Sequence, residues 1–270
     1  MTVSTPAPSQ AATVPGRLPP RFSEAARPAR VAAPRAEPEL GPLRRSIAET
    51  LQIVADHLPV QRRLLRAGDT VYQAGEAFGL LYVVNSGFFK VLTLSPDGRE
   101  QVVGLKFRGD WLGFDGLAQG AYSSDAVAMD VGEVWAIKYE ALLEAALRER
   151  GLMTVMHQAM SRELAREREA LMSVCTLPGD ARVADFLCHW ADALAERGLR
   201  TDQIALRLTR AEIGNCLGLT LETVSRALSR LAKARLIGFE GKGRRDLSIP
   251  DVAALSAFVQ GTLTPHPTVQ

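Results

Sequence analysis

The stretch from Thr209 to Ala234 leaves this chain the fewest structural choices. Thr209 stands where a hydroxyl caps a helix, the next eight residues favour one, and Gly218 offers the left-handed turn that glycine adopts cheaply. Thr220 then caps a second helix, Leu221 to Ala234, with Val224, Leu228 and Leu231 on one face and Glu222, Ser225, Arg226, Ser229 and Arg230 on the other. Two short helices joined by a glycine-bearing turn form a helix-turn-helix. The second helix of such a unit turns its N-terminal residues toward base edges in the major groove, which predicts Glu222, Ser225 and Arg226 as base contacts. Arg226 offers two donors to guanine O6 and N7, Glu222 accepts from cytosine N4, and Ser225 serves either kind of edge.

The residues that follow fit the same reading. Leu236-Ile237-Gly238-Phe239-Glu240 and Arg245-Asp246-Leu247-Ser248-Ile249 flank the basic, glycine-rich tip Gly241-Lys242-Gly243-Arg244, which predicts a hairpin wing. Between Ala205 and Arg245, the cations Arg207, Arg210, Arg226, Arg230, Lys233, Arg235, Lys242, Arg244 and Arg245 outnumber the anions Glu212, Glu222 and Glu240. The whole chain carries a net charge of only +2, so this local excess is what suits a polyanion. Thr209, Arg210, Thr220, Thr223, Arg230, Lys242 and Arg244 are the expected phosphate contacts.

Upstream, residues 1–42 are rich in Pro, Ala, Arg and Ser with almost no aromatic side chains, which predicts a disordered tail. From Leu58 to Ile137, short β-type runs (Leu80 to Val84, Phe88 to Leu94, Gln101 to Phe107) alternate with turns such as Asn85-Ser86-Gly87, Pro96-Asp97-Gly98 and Gly109-Asp110, predicting an all-β roll over residues 43–138. From Tyr139 the composition becomes that of helix with no proline until Pro178, and Gly151 is expected to part a short helix from a long one within residues 139–177. Met153, His157, Met160, Leu164, Glu167, Leu171 and Val174 recur by alternating steps of four and three, the seam of a coiled coil, so two copies are expected to pair as a homodimer. The alternative is a seam packed on the chain's own β-roll. An amphipathic segment from Asp180 to Arg197 opens the winged helix-turn-helix domain, residues 178–250, and residues 251–270 are expected to be a tail. The fold class is thus α+β.

These residues carry a resemblance. Leu208-Thr209-Arg210, Ile213-Gly214-Asn215, Leu217-Gly218-Leu219-Thr220 and Glu222-Thr223-Val224-Ser225-Arg226 closely resemble the recognition segment of the CRP/FNR superfamily, its FNR-like branch in particular. The likeness runs from about Leu58 to Ile249 and includes Gly109-Asp110-Trp111-Leu112-Gly113-Phe114-Asp115. It implies a sensory β-roll, a homodimer through the long helix, and a Glu-x-x-Ser-Arg set reading half-sites like TTGAT in an inverted repeat of double-stranded DNA. It also implies activation through contact with RNA polymerase, with Asp97 and Gly98 in the turn Pro96-Asp97-Gly98-Arg99 as the polymerase contact.

The resemblance bears on what is sensed. The cyclic-nucleotide branch uses an Arg-Ser pair on the phosphate, and residues 113–125 here hold no arginine, which argues against cAMP. The oxygen-sensing branch holds an iron–sulfur cluster on N-terminal cysteines and one β-roll cysteine; this chain's cysteines are Cys175, Cys188 and Cys216, and the matching β-roll position is Trp135, so no such cluster is expected. Haem stays open as an alternative, although His57 lies at the domain edge and His157 on the seam. A redox switch at Cys216, against a plain buried thiol, is a further alternative. An enzyme of the cupin type would need clustered His and carboxylate ligands in the strands, where no histidine occurs, and no enzymatic activity is expected. A protein-binding scaffold would leave the Glu222, Ser225, Arg226 face without a purpose. Widely spaced cysteines, no long apolar run and no leader pattern lead to the expectation of a cytoplasmic chain away from membranes.

Overall fold

The computed structural model describes residues 45–95, 98–240 and 246–263. Helix α1 (Ile47–His57) starts at a reciprocal cap in which Ser46 accepts from the Glu49 N–H and Glu49 accepts from the Ser46 N–H. It leads into β1 (Gln61–Leu65), β2 (Thr70–Tyr72), β3 (Leu80–Ser86), β4 (Phe89–Leu94), β5 (Glu100–Lys106), β6 (Trp111–Leu112), β7 (Asp125–Ala128) and β8 (Gly132–Lys138). These strands make two four-stranded antiparallel sheets, ordered β1-β8-β3-β6 and β2-β7-β4-β5.

Strand β3 is a continuous apolar run from Leu80 to Val84 because both of its faces are buried there. Tyr82 and Val84 point between the sheets with Phe89, Tyr122 and Val134. Leu81 and Val83 point outward onto Leu51 and Val54 of α1, and onto Leu142 and Ala146 of α2 (Tyr139–Arg148). The long helix α3 (Arg150–Thr176) adds Leu152, Val155, Met156 and Ala159 to this outer layer. The break between α2 and α3 falls at Glu149 and not at Gly151, because Glu149 is extended and its carboxylate accepts the Gly151 N–H at 2.8 Å, capping the new helix.

The buried stripe of α3 and the predicted seam do not coincide. Met153, Met160 and Val174 are half-buried, whereas His157, Leu164, Glu167 and Leu171 are exposed, Leu164 at 51% and Leu171 at 63%. The chain's own β-roll therefore covers a neighbouring stripe of α3 and leaves most of the seam bare.

Helix α4 (Gly179–Ala195) carries Phe186, Leu187 and Trp190 into a third core. That core is completed by β9 (Gln203–Ala205), α5 (Arg210–Leu217), α6 (Leu221–Lys233), β10 (Gly238–Glu240), β11 (Asp246–Ser248) and α7 (Val252–Leu263). The strands pair in the order β10-β11-β9. Residues 251–263 are thus not the tail expected from the sequence: Asp251 caps the N–H groups of Ala253 and Ala254, and Leu255 and Val259, one turn apart, are buried in the core shared with α4.

The three parts meet at Asp110. Its carboxylate is buried, accepts the Phe107 N–H at 2.9 Å, and pairs with Arg166 of α3 at 2.9 Å and with Arg197, just beyond α4, at 3.3 Å. Arg197 also donates to the Arg108 carbonyl at 2.9 Å and lies over the Phe107 ring. Removing one partner from a buried pair strands the other charges away from water. Asp110→Ala is expected to destabilise the chain by about 3–5 kcal/mol, read as a lower midpoint in urea denaturation; a loss below about 1 kcal/mol would show that water already screens the cluster.

Candidate nucleic-acid interface

Helix α5 opens as its sequence requires. The Thr209 hydroxyl accepts the Glu212 N–H at 3.2 Å and Glu212 accepts the Thr209 N–H at 2.7 Å, a complete capping box. Gly218 closes it at φ 63°. A second glycine is fixed by crowding: a Cβ on Gly214 would come 2.5 Å from the Leu219 carbonyl oxygen, which is what allows the turn to be so tight. Thr220 then caps α6 by accepting the Thr223 N–H at 3.2 Å.

Val224, Ala227, Leu228 and Leu231 are buried, and the opposite face of α6 presents Glu222, Arg226, Ser229 and Arg230 to solvent. Glu222 and Arg226 bond to one another at 2.5 Å, so their tips reach the same point above the helix. Ser225 is half-buried and accepts from Arg210 of α5 at 3.2 Å. Thr209 and Thr220 are exposed, with Thr223 half-buried at the start of α6, so the predicted phosphate contacts that are described flank the predicted base contacts. Lys242 and Arg244 of the wing tip and Asp97 of the expected polymerase loop lie outside the described residues. Gly98 is exposed at φ 80° and donates its N–H to the Ser95 carbonyl at 2.8 Å.

Several cations of this face already hold carboxylates, which the sequence did not foretell. Arg230 pairs with both oxygens of Asp180 in the first turn of α4, and Arg207 pairs with Asp130 of the β-roll at 2.6 Å. Lys90 of β4 pairs with Glu212, while Asn215 donates to the Glu100 carbonyl at 3.1 Å, fastening α5 to the β-roll. Burial pushes the Glu212 carboxyl up, but the hydrogen bonds from Lys90 and Thr209 outweigh it and hold the group below its ordinary value. Cys216 is half-buried, and burial lifts its thiol to about 11, which keeps it protonated and a poor nucleophile at neutral pH.

Comparison with known proteins now bears on this geometry. Residues 181–258 match the Crp-like helix-turn-helix domain, and residues 62–149 the cyclic nucleotide-binding domain. The fumarate and nitrate reduction regulatory protein of Salmonella typhimurium is 31% identical over 207 residues, which span 77% of this chain and 82% of that protein. The chain belongs to the CRP/FNR superfamily. The protein of the same name from Escherichia coli K12 is 31% identical over 187 residues, 69% of this chain and 75% of its own. The solved structure of FixK2 from Bradyrhizobium japonicum superposes with a TM-score of 0.65 at 27% identity, covering 77% of this chain and all (100%) of that one. This CRP/FNR member is a DNA-binding transcription regulator, and among its described residues no helix is long and apolar enough to cross a membrane.

The nucleotide implied by one of these domain matches does not fit the residues present. Where a cyclic phosphate would need donors, the Asp115 carboxylate already accepts from the Ser123 N–H at 3.0 Å, the Ser123 hydroxyl at 3.1 Å and the Ser124 hydroxyl at 2.7 Å. A fixed anion there repels a second one. Trp135 is buried in β8 and donates to Glu133 at 2.7 Å. His57 ends α1 and His157 is exposed on α3, so both lie outside the space between the sheets.

The Arg230–Asp180 pair yields a test. A phosphate contact by Arg230, as the sequence leads one to expect, requires the Asp180 carboxylate to give way, so Asp180→Asn releases Arg230 in advance. Affinity for any duplex is expected to rise about two- to fivefold, and the slope of log K against log salt to steepen by about 0.9. Unchanged affinity and slope in fluorescence anisotropy titrations would mean that Arg230 keeps Asp180 in the complex.

Proposed function

We propose that this chain works as a homodimer that reads an inverted repeat of TTGAT half-sites and activates transcription through its β-roll. The observation that carries the reading is the exposed Glu222–Arg226 pair on α6. Because the two tips meet, they suit one base pair: guanine O6 and N7 for Arg226 and the partner cytosine N4 for Glu222, and TTGAT contains a single G·C pair. Ser225, steered by Arg210, serves a neighbouring edge. The 31% identity to the fumarate and nitrate reduction regulatory protein supports an FNR-type half-site.

Dimerisation through α3 is supported by the bare seam, where Leu164, Leu171 and the adjacent Met172 expose more than half of their surface. Activation by contact between Asp97 and Gly98 and RNA polymerase rests on the family resemblance. A cyclic nucleotide has no part in this reading, since Asp115 occupies the Ser123 and Ser124 donors that its phosphate would use. A regulator that binds DNA in this way works in the cytoplasm, where that DNA lies.

The base assignment is tested by replacing the G·C pair of each half-site with A·T. Wild-type protein is expected to lose about 1–3 kcal/mol per half-site, whereas Arg226→Ala binds both duplexes weakly and nearly alike. Retained discrimination in Arg226→Ala would remove Arg226 from base reading. The dimer is tested at Glu167, exposed on the seam and facing its own copy across the two-fold axis in this reading. Glu167→Leu is expected to lower the dimer dissociation constant by about fivefold or more in analytical ultracentrifugation; an unchanged constant would place the axis elsewhere.

A further inference from the structure

The joint between α3 and α4 is short and heavily tied. Leu177 ends α3 in an extended conformation, Pro178 starts α4, and Arg182 one turn later fills the angle between them. Its Nε donates to the Leu177 carbonyl at 2.8 Å and its Nη1 to the Leu217 carbonyl at 3.1 Å. The first of these carbonyls belongs to the end of the long helix, the second to the last residue of α5, next to the Gly218 turn of the reader. One rigid guanidinium therefore joins the helix that would pair the two chains to the helix-turn-helix. A second tie runs alongside, with the Ser173 hydroxyl of α3 donating to Asp185 of α4 at 2.7 Å. The first turn of α4 also lies close against the reader, since a Cβ on Gly179 would meet Thr223 Cγ2 at 3.4 Å.

We propose that Arg182 is a positioning residue for half-site spacing: by bridging the Leu177 and Leu217 carbonyls it fixes the angle of each reader on its long helix, so that the dimer accepts one spacer and rejects its neighbours. The proposal rests on the reading above, a homodimer on an inverted repeat. One added base pair moves a half-site by about 3.4 Å along the duplex and turns it by about 35°. A reader follows that shift only if its joint bends, and bending parts Arg182 from one of its two carbonyls. The bridge needs the planar fork of arginine, because donors that diverge in one plane reach both acceptors at once; a lysine ammonium keeps the charge without that geometry.

The test measures binding of wild type and Arg182→Lys to TTGAT duplexes with N3, N4 and N5 spacers, each paired with a duplex mismatched in one half-site. Wild type is expected to prefer N4 by at least about tenfold, and Arg182→Lys by less than about threefold, with an unchanged factor against the mismatch. A variant that keeps the wild-type spacer preference overturns the proposal, and so does one that loses mismatch discrimination in parallel, the mark of a damaged reader. Wild-type protein that binds none of these duplexes better than a scrambled one overturns the half-site reading itself, and the spacing role with it. As an independent measurement, spin labels at positions 168 and 233, both exposed, are compared in chains diluted with unlabelled protein. A distance distribution broadened by Arg182→Lys supports the bridge, and equal widths contradict it.

Discussion

The arrangement depends on the carboxylate of Asp110. It is buried among the β-roll turn that carries it, Arg166 of the long helix and Arg197 beyond α4, and each of those three belongs to a different part of the protein. A charge so placed is tolerated only while all its partners are present. Burial lowers the Arg197 guanidinium from its ordinary value and the Asp110 charge pulls it back, so cation and anion sustain one another. Around this point Phe107 of the β-roll and Trp190 of α4 meet edge to face, their ring centres 5.6 Å apart, adding an apolar seal to the polar hub. The β-roll, long helix and reader are therefore held together by contacts of high cost to break.

The reader face is electrostatically occupied before DNA arrives. Arg226 holds Glu222, Arg230 holds Asp180 and Arg207 holds Asp130. In the proposed complex, binding is then an exchange of carboxylates for phosphates and base edges, and not the filling of an empty cationic groove. On the proposed base contacts, such exchange is expected to lower affinity for arbitrary sequence more than for the right one, because only the right base edges compensate both members of the Glu222–Arg226 pair. The same logic applies in the β-roll, where Asp115 takes the hydrogen bonds of Ser123 and Ser124.

The sequence made the reader legible almost residue by residue, since its helices are fixed by local rules: a threonine cap, a capping glutamate, a glycine turn, and apolar positions one turn apart. The paired strands of the roll were legible in part. Runs such as β3 and β4 announce themselves, while β1, with its Gln61-Arg62-Arg63 start, and the short β2 and β9 gain their identity from partners distant in sequence. Helix α7 was missed because its signal, an Asp251 cap and two apolar residues one turn apart, is brief and follows a segment read as the domain's end. The ties made by Asp110, Arg182, Lys90 and Asp180 were illegible for another reason: each joins residues far apart along the chain, and only the packing of the cores decides which charges meet.

The measurement that tests the central claim most directly is the stoichiometry of a specific complex. Purified protein, without added effector and at fixed salt, is titrated into TTGAT-N4-ATCAA, into the same duplex with one half-site scrambled, and into a fully scrambled control. Two chains per intact duplex, with affinity falling sharply when either half is lost, is the predicted result. One chain per duplex, or equal affinity for all three, would contradict a dimer that reads an inverted repeat.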